Sequence, residues 1–200
     1  MQGNGTGGTA GHRGDGGAGA QLEHPDFAVV RAAMPGLRLR ATEFRGCATL
    51  IVEPKDLRAV MGLLRDDPRL GYDFLGDVVG IDYLNYPAKM PGRFGVVYPL
   101  ISLGRQARFY VKVYLDPSVG TEGTAEDPAL YLDSVTGLWP GAEWMEREVF
   151  DMFGIRFRNH PDLRRILLWE SYPAHPLRKD YPLRGRGERE TYKVVDRTDA

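Results

Sequence analysis

The sequence holds a single cysteine, Cys47, among 200 residues. One thiol permits no internal disulfide. It also cannot supply the four thiolates an iron–sulfur cluster usually takes, or a multi-cysteine zinc site. Long apolar runs are missing too: the longest are a few residues, against the roughly 20 a membrane-spanning helix needs. The N-terminal segment has no apolar core of the kind a secretory signal carries. These absences point to a soluble chain of a reducing compartment. Excess charge is absent as well. The 26 Lys and Arg against 27 Asp and Glu leave a net charge of −1, with no overall pull towards nucleic acid or a membrane surface.

What is present is unevenly placed. Nine of the 25 glycines fall in residues 1–19. Residues 1–21 therefore read as a glycine-rich leader that gains too little from ordering to offset its entropy. The remaining chain, about 180 residues, is long enough for one domain with a real core. Charge is also segregated. Residues 156–189 hold nine basic and four acidic side chains, so that segment is +5 and the rest of the chain −6. Such a split predicts a charged contact surface near the C-terminus.

Periodicity predicts the elements. A short helix over 27–34 stops at Pro35-Gly36. Alternation over 37–41 and an apolar run over 48–52, broken at Arg45-Gly46, predict a hairpin. Leu57, Val60, Met61 and Leu64 recur at helical spacing. Residues 72–86 favour extended structure, and 94–103 with 109–115 form the clearest antiparallel pair. Residues 129–138 and 142–153 read as two helices separated by Pro140-Gly141. Beyond Gly154 prolines recur and no period lasts, yet Ile166-Leu167-Leu168-Trp169 is too apolar for a disordered tail. The expected architecture is α+β: a mostly antiparallel sheet with helices on one face over 22–153, followed by an extended C-terminal arm over 154–200 that lies on a partner.

The densest charge lies in Glu143–Phe153. Glu148 and Asp151 share a helix face, and paired carboxylates can do acid–base work. The commoner use of such a segment is a ladder of ion pairs, here Glu143–Arg147 and Arg147–Asp151, and that is the reading preferred. His160-Pro161 and His175-Pro176 could ligate a metal with Glu148 or Asp151, but the spacing matches no ligand pattern, and turn-forming structural use is preferred. The C-terminal arginines could bind RNA, but without interleaved aromatics a protein-binding arm is the better reading. The GxG matches in the leader lack the flanking strand and helix of a dinucleotide fold. Cys47 reads as a small buried hydrophobe.

Three blocks then stand in order: Glu146-Arg147-Glu148-Val149-Phe150-Asp151-Met152-Phe153-Gly154-Ile155-Arg156-Phe157; His160-Pro161-Asp162-Leu163-Arg164-Arg165-Ile166-Leu167-Leu168; and His175-Pro176-Leu177-Arg178-Lys179-Asp180-Tyr181-Pro182. Together they resemble the C-type, or 30 kDa-type, subunit of bacterial NADH-quinone oxidoreductase, respiratory complex I. Ala174 departs from the glycine that often precedes His-Pro in that family. The resemblance implies a peripheral-arm subunit of a proton-translocating complex, on the cytoplasmic side of the inner membrane. Such a subunit has no catalytic, cofactor or metal residues of its own. FMN and iron–sulfur clusters would lie in other subunits of a complex that passes electrons from NADH to quinone. Its partners would be the D-type quinone-site subunit and the B- and I-type cluster-bearing subunits, with no nucleic acid. Glu146, Arg147, Glu148, Asp151, Gly154, His160, Pro161, Arg164, Arg165, His175, Pro176, Arg178, Lys179 and Asp180 would form fold and partner interface. The alternatives are the equivalent subunit of a membrane-bound hydrogenase or other relative, and a basic-armed RNA-binding module.

Overall fold

A computed structural model describes residues 24–188. The leader and the last residues of the arm, 189–200, lie outside the described residues. The elements run α1 (Pro25–Ala33), β1 (Arg40–Phe44), β2 (Cys47–Val52), α2 (Leu57–Asp66), β3 (Phe74–Leu75), β4 (Val79–Asp82), β5 (Phe94–Ser102), β6 (Ala107–Leu115), β7 (Tyr131–Asp133), α3 (Ala142–Phe153) and β8 (Arg156–Arg158). Pro25 opens α1, where its missing N–H costs nothing, and His24 caps the helix by accepting the Asp26 N–H. In α2, Leu57, Val60, Met61 and Leu64 form one buried stripe, each contributing on the order of 2 kcal/mol by leaving water.

The main sheet has the order β1-β2-β6-β5-β3, with β4 also paired to β5. The β1–β2 hairpin turns at Arg45 and Gly46, both at positive φ, as a tight two-residue turn demands. The β5–β6 ladder runs from Phe94↔Leu115 to Ser102↔Ala107. Burial alternates along β2, β5 and β6, so each sends every second side chain into one core. That core joins Leu50, Val52, Val96, Tyr98, Phe109, Val111 and Val113 of the sheet to Phe27, Val30, Val60, Met61 and Val149 of the helices. The chain is thus α+β with a mostly antiparallel sheet, and the one parallel contact in that sheet is β2 beside β6.

Two expectations are corrected. Residues 129–138 do not form a helix. Pro128–Leu130 make one 3-10 turn, and Tyr131–Asp133 are strand β7. Here Leu130 and Leu132 alternate inward, and the strand's partner, β8, lies some two dozen residues further on, across α3. Residues 156–158 are therefore a strand as well, and β7–α3–β8 is a parallel crossover unit where the sequence suggests none. Tertiary pairing overrides local propensity at both places.

Candidate functional site

The motif residues meet at the C-terminal end of α3. Phe150 closes the helix by accepting the Gly154 N–H, and Gly154 sits in the left-handed region at φ 74°. That turn directs the chain into β8 and then back across the helix end. A Cβ at Gly154 would lie 2.3 Å from Arg178 Nη2 and 2.7 Å from the His175 ring, so the position requires glycine for both reasons.

Asp151 is the centre of the junction and is fully buried. Its Oδ2 accepts the N–H groups of Ile166, Leu167 and Leu168 at 3.1, 2.8 and 2.9 Å. Its Oδ1 accepts Arg165 Nη1 at 2.6 Å. Burial acts to raise the Asp151 pKa, but these donors outweigh it and hold the carboxyl below its ordinary range. Arg165 also donates to the carbonyls of Tyr172 and Ala174. His175 donates from Nδ1 to the Asp151 carbonyl at 2.8 Å, and burial lowers its pKa to about 4. Arg178 donates to the carbonyls of Phe153 and Thr121, both at 2.7 Å.

A second, linked cluster ties the arm to the sheet. Asp82, at the end of β4, accepts both Arg93 Nη2 and the Lys179 N–H, at 2.9 and 2.8 Å. Arg93 reaches on to Asp180 at 3.0 Å, and Thr121 hydrogen-bonds that same carboxylate. Burial opposes ionisation of Asp82 and Asp180, but the arginine and backbone donors win and both pKa values fall. Arg93, Asp82 and Thr121 carry no sequence signal, because their partners lie up to 97 residues away.

The ion-pair ladder on α3 is not what forms. Arg147 turns inward and donates to the carbonyls of Arg164 and Arg165, at 3.1 and 3.0 Å, while its guanidinium covers the Trp144 ring. Glu146 is fully buried. Its Oε1 accepts the Val135 N–H at 2.8 Å, its Oε2 has no hydrogen-bond partner among the described residues, and burial pushes its pKa up to about 7. His160 accepts the Asp162 N–H at Nδ1 and faces the Glu143 carbonyl with Nε2 at 3.0 Å. Its proton therefore sits on Nε2, and Glu146 Oε2 stands 4.0 Å from it. Helix packing on more than one side explains the difference: residues at 146, 147 and 151 all face protein. Glu148, Pro161, Arg164 and Lys179 are exposed, Pro176 half so. Arg164 pairs with Asp162 at 2.8 Å.

Chemically, this is a junction of satisfied charges. Asp151, Arg165, His175 and Arg178 spend their hydrogen bonds on one another and on backbone groups of this same chain. Among the described residues no group of three or more His, Cys, Asp or Glu is arranged to hold a metal ion, and no helix is long and apolar enough to cross a membrane. Cys47 is half-buried on the sheet rather than in the core.

Comparison with known proteins gives the class: the 30 kDa-type subunits of respiratory-chain NADH dehydrogenase. A family model described as the 30 kDa subunit of respiratory-chain NADH dehydrogenase matches residues 50–187, and the chain belongs to that family. The C-type NADH-quinone oxidoreductase subunit of Roseiflexus sp. (strain RS-1) is 46% identical over 154 residues, covering 77% of this chain and 80% of the relative. A solved trypsin-resistant fragment of Nqo5 is similar at a TM-score of 0.55 and 34% identity, over 69% of this chain and 98% of that one. A chain of the membrane-bound sulfane sulfur reductase, an archaeal respiratory membrane complex, shares the fold at a TM-score of 0.60 and 19% identity, over 86% and 92%.

Proposed function

We propose that this chain is a non-catalytic subunit in the peripheral arm of a proton-translocating NADH-quinone oxidoreductase. It holds in place the subunits through which electrons pass from NADH, by FMN and iron–sulfur clusters, to quinone. The observation that carries this reading is the junction itself. Asp151, Arg165, His175 and Arg178 of the motif blocks are buried and spend their hydrogen bonds on one another and on this chain's own backbone, so they build a platform, and Glu146 is buried beneath it against Val135. The single cysteine agrees with clusters held by other chains. Exposed Leu167, Leu177 and Leu183 along the arm, together with Trp144, offer apolar anchors for partners, for which the quinone-site subunit and the cluster-bearing subunits are proposed. The complex would place the chain on the cytoplasmic side of the inner membrane.

Detergent-solubilised membranes test this. The chain is expected in one large assembly with flavin and iron–sulfur subunits that oxidises NADH with quinone. An assembly that oxidises hydrogen or another donor and not NADH would assign it to a different respiratory complex. Recovery in a ribonucleoprotein fraction would overturn the reading.

A further inference from the structure

The helices cover one face of the six-stranded sheet; the described residues leave the other open. Strand register fixes what that face contains. Ile51 lies opposite Lys112, Lys112 opposite Val97, and Val97 opposite Val79. Two rungs further along, past Pro99 and Tyr110, Arg108 pairs with Ile101, and Ile101 with Phe74. At the other edge Arg40 pairs with Ile51. All of these side chains are half-buried or exposed, whereas along β2, β5 and β6 the residues that alternate with Ile51, Val97 and Lys112 are in the core. Phe74 and Val79 are 49% and 37% exposed, a large cost for an apolar surface meant to stay in water.

The charge on this face has one sign. Its strands contribute Arg40, Arg108 and Lys112 and no carboxylate; Glu53 follows just past the end of β2. None of the three cations forms an ion pair among the described residues. The Lys112 ammonium lies 4.9 and 4.7 Å from the Tyr83 and Tyr114 ring centres, half sheltered and without a counter-charge. Beside it, Arg38, Arg40, Ile51, Glu53 and Tyr114 line a cleft of about 120 Å³, large enough for a side chain.

We propose that this open face docks an acidic, apolar face of another protein subunit of the same assembly. That partner's carboxylates sit beside Lys112 and in the Arg38–Arg40 cleft. The proposal rests on the reading of the chain as an assembly subunit. Charge complementarity selects this occupant. A second copy packed face to face would set these cations against themselves. The chain's own termini offer little acidic excess to match: residues 189–200 hold three acidic and three basic side chains, and residues 1–23 two acidic and one basic. Single-stranded nucleic acid needs a continuous basic groove that tracks its backbone, whereas here the three cations stand apart among Ile51, Val97, Ile101 and Phe74.

Cys47 stands at the end of this face and is the chain's only thiol, so it reports on the cover directly. Alkylation is followed at its peptide by mass spectrometry, in the purified assembly and in the isolated full chain, and carbodiimide then joins amines to touching carboxylates. The proposal expects alkylation about tenfold slower in the assembly than in the isolated chain, since thiol reactivity follows access. It also expects Lys112 cross-linked to an Asp or Glu of another subunit. Lys112→Glu should cut incorporation into the assembly about tenfold, and Lys112→Arg should restore it, with both isolated variants melting like the parent chain. Equal alkylation in both samples would overturn the docking face while leaving membership of the assembly standing. Slow alkylation already in the isolated chain would assign the cover to the chain's own termini. A cross-link to a second copy, protection lost on nuclease treatment, or normal incorporation of Lys112→Glu would each overturn it too. Absence of the chain from any such assembly would instead refute the proposed function.

Discussion

Asp151 shows how one carboxylate organises a fold. It accepts three consecutive N–H groups and a guanidinium, so one buried side chain fixes the half-buried turn at 166–168 against the helix end. Asp151→Asn keeps the shape but removes the counter-charge of buried Arg165. A loss of about 3–5 kcal/mol is expected, read by urea melts of the isolated chain. Gly154→Ala should cost at least about 2 kcal/mol in the same assay, because the new Cβ meets both Arg178 and His175 at a positive φ. Glu146 and His175 set opposite pH dependences. The raised Glu146 pKa contributes stability that is full below its ordinary 4.5 and lost as pH rises through about 7. The lowered His175 pKa contributes stability present above its ordinary 6.5 and lost as pH falls through about 4. Each effect is about 3 kcal/mol, and between these limits they oppose one another. Glu146→Gln removes the first. The variant should gain on the parent at pH 8, and its stability should fall more steeply between pH 6.5 and 4. Parallel curves for the two proteins would contradict this.

At the level of elements, the arm and α3 are one unit. Arg165, His175 and Arg178 reach back to carbonyls at or just beyond the Asp151 turn of the helix, and the Lys179 N–H binds Asp82 on the sheet. The separable arm that the sequence suggests, lying on something else, lies largely on its own domain as far as residue 180. Truncation after Gly154 should therefore abolish a cooperative melt rather than leave a folded core. A truncated chain with parent-like melting would contradict this. The sequence is informative where periodicity is local. The α2 stripe, the hairpins and the β5–β6 pair follow from spacing alone, since one buried face imposes a period of 3.6 or 2. It misleads where the deciding contact is distant. Leu130 and Leu132 fit a helix or a strand, and only pairing with β8 selects the strand. The charges at 146, 147 and 151 look like a solvated ladder because nothing in the helix's own sequence says that the arm will cover it. The three motif blocks point to the correct family, but their residues serve the chain's interior more than an outer charged surface. Two of the arm's arginines, Arg165 and Arg178, are buried.

On the proposed function, the molecule as a whole is a scaffold. One sheet face and the helices form a core, the arm is locked over α3 by saturated charges, and exposed leucines and the open sheet face remain for partners. The motif charges on this view act on folding and assembly and not on electron transfer. Quinone-reductase turnover per intact assembly, in membranes carrying Asp151→Asn or Glu146→Gln, tests this most directly. The amount of assembly should fall with Asp151→Asn, while turnover per assembled complex stays at the parent value for both variants. A fully assembled complex with clearly reduced turnover would place these residues in the reaction and contradict the scaffold role.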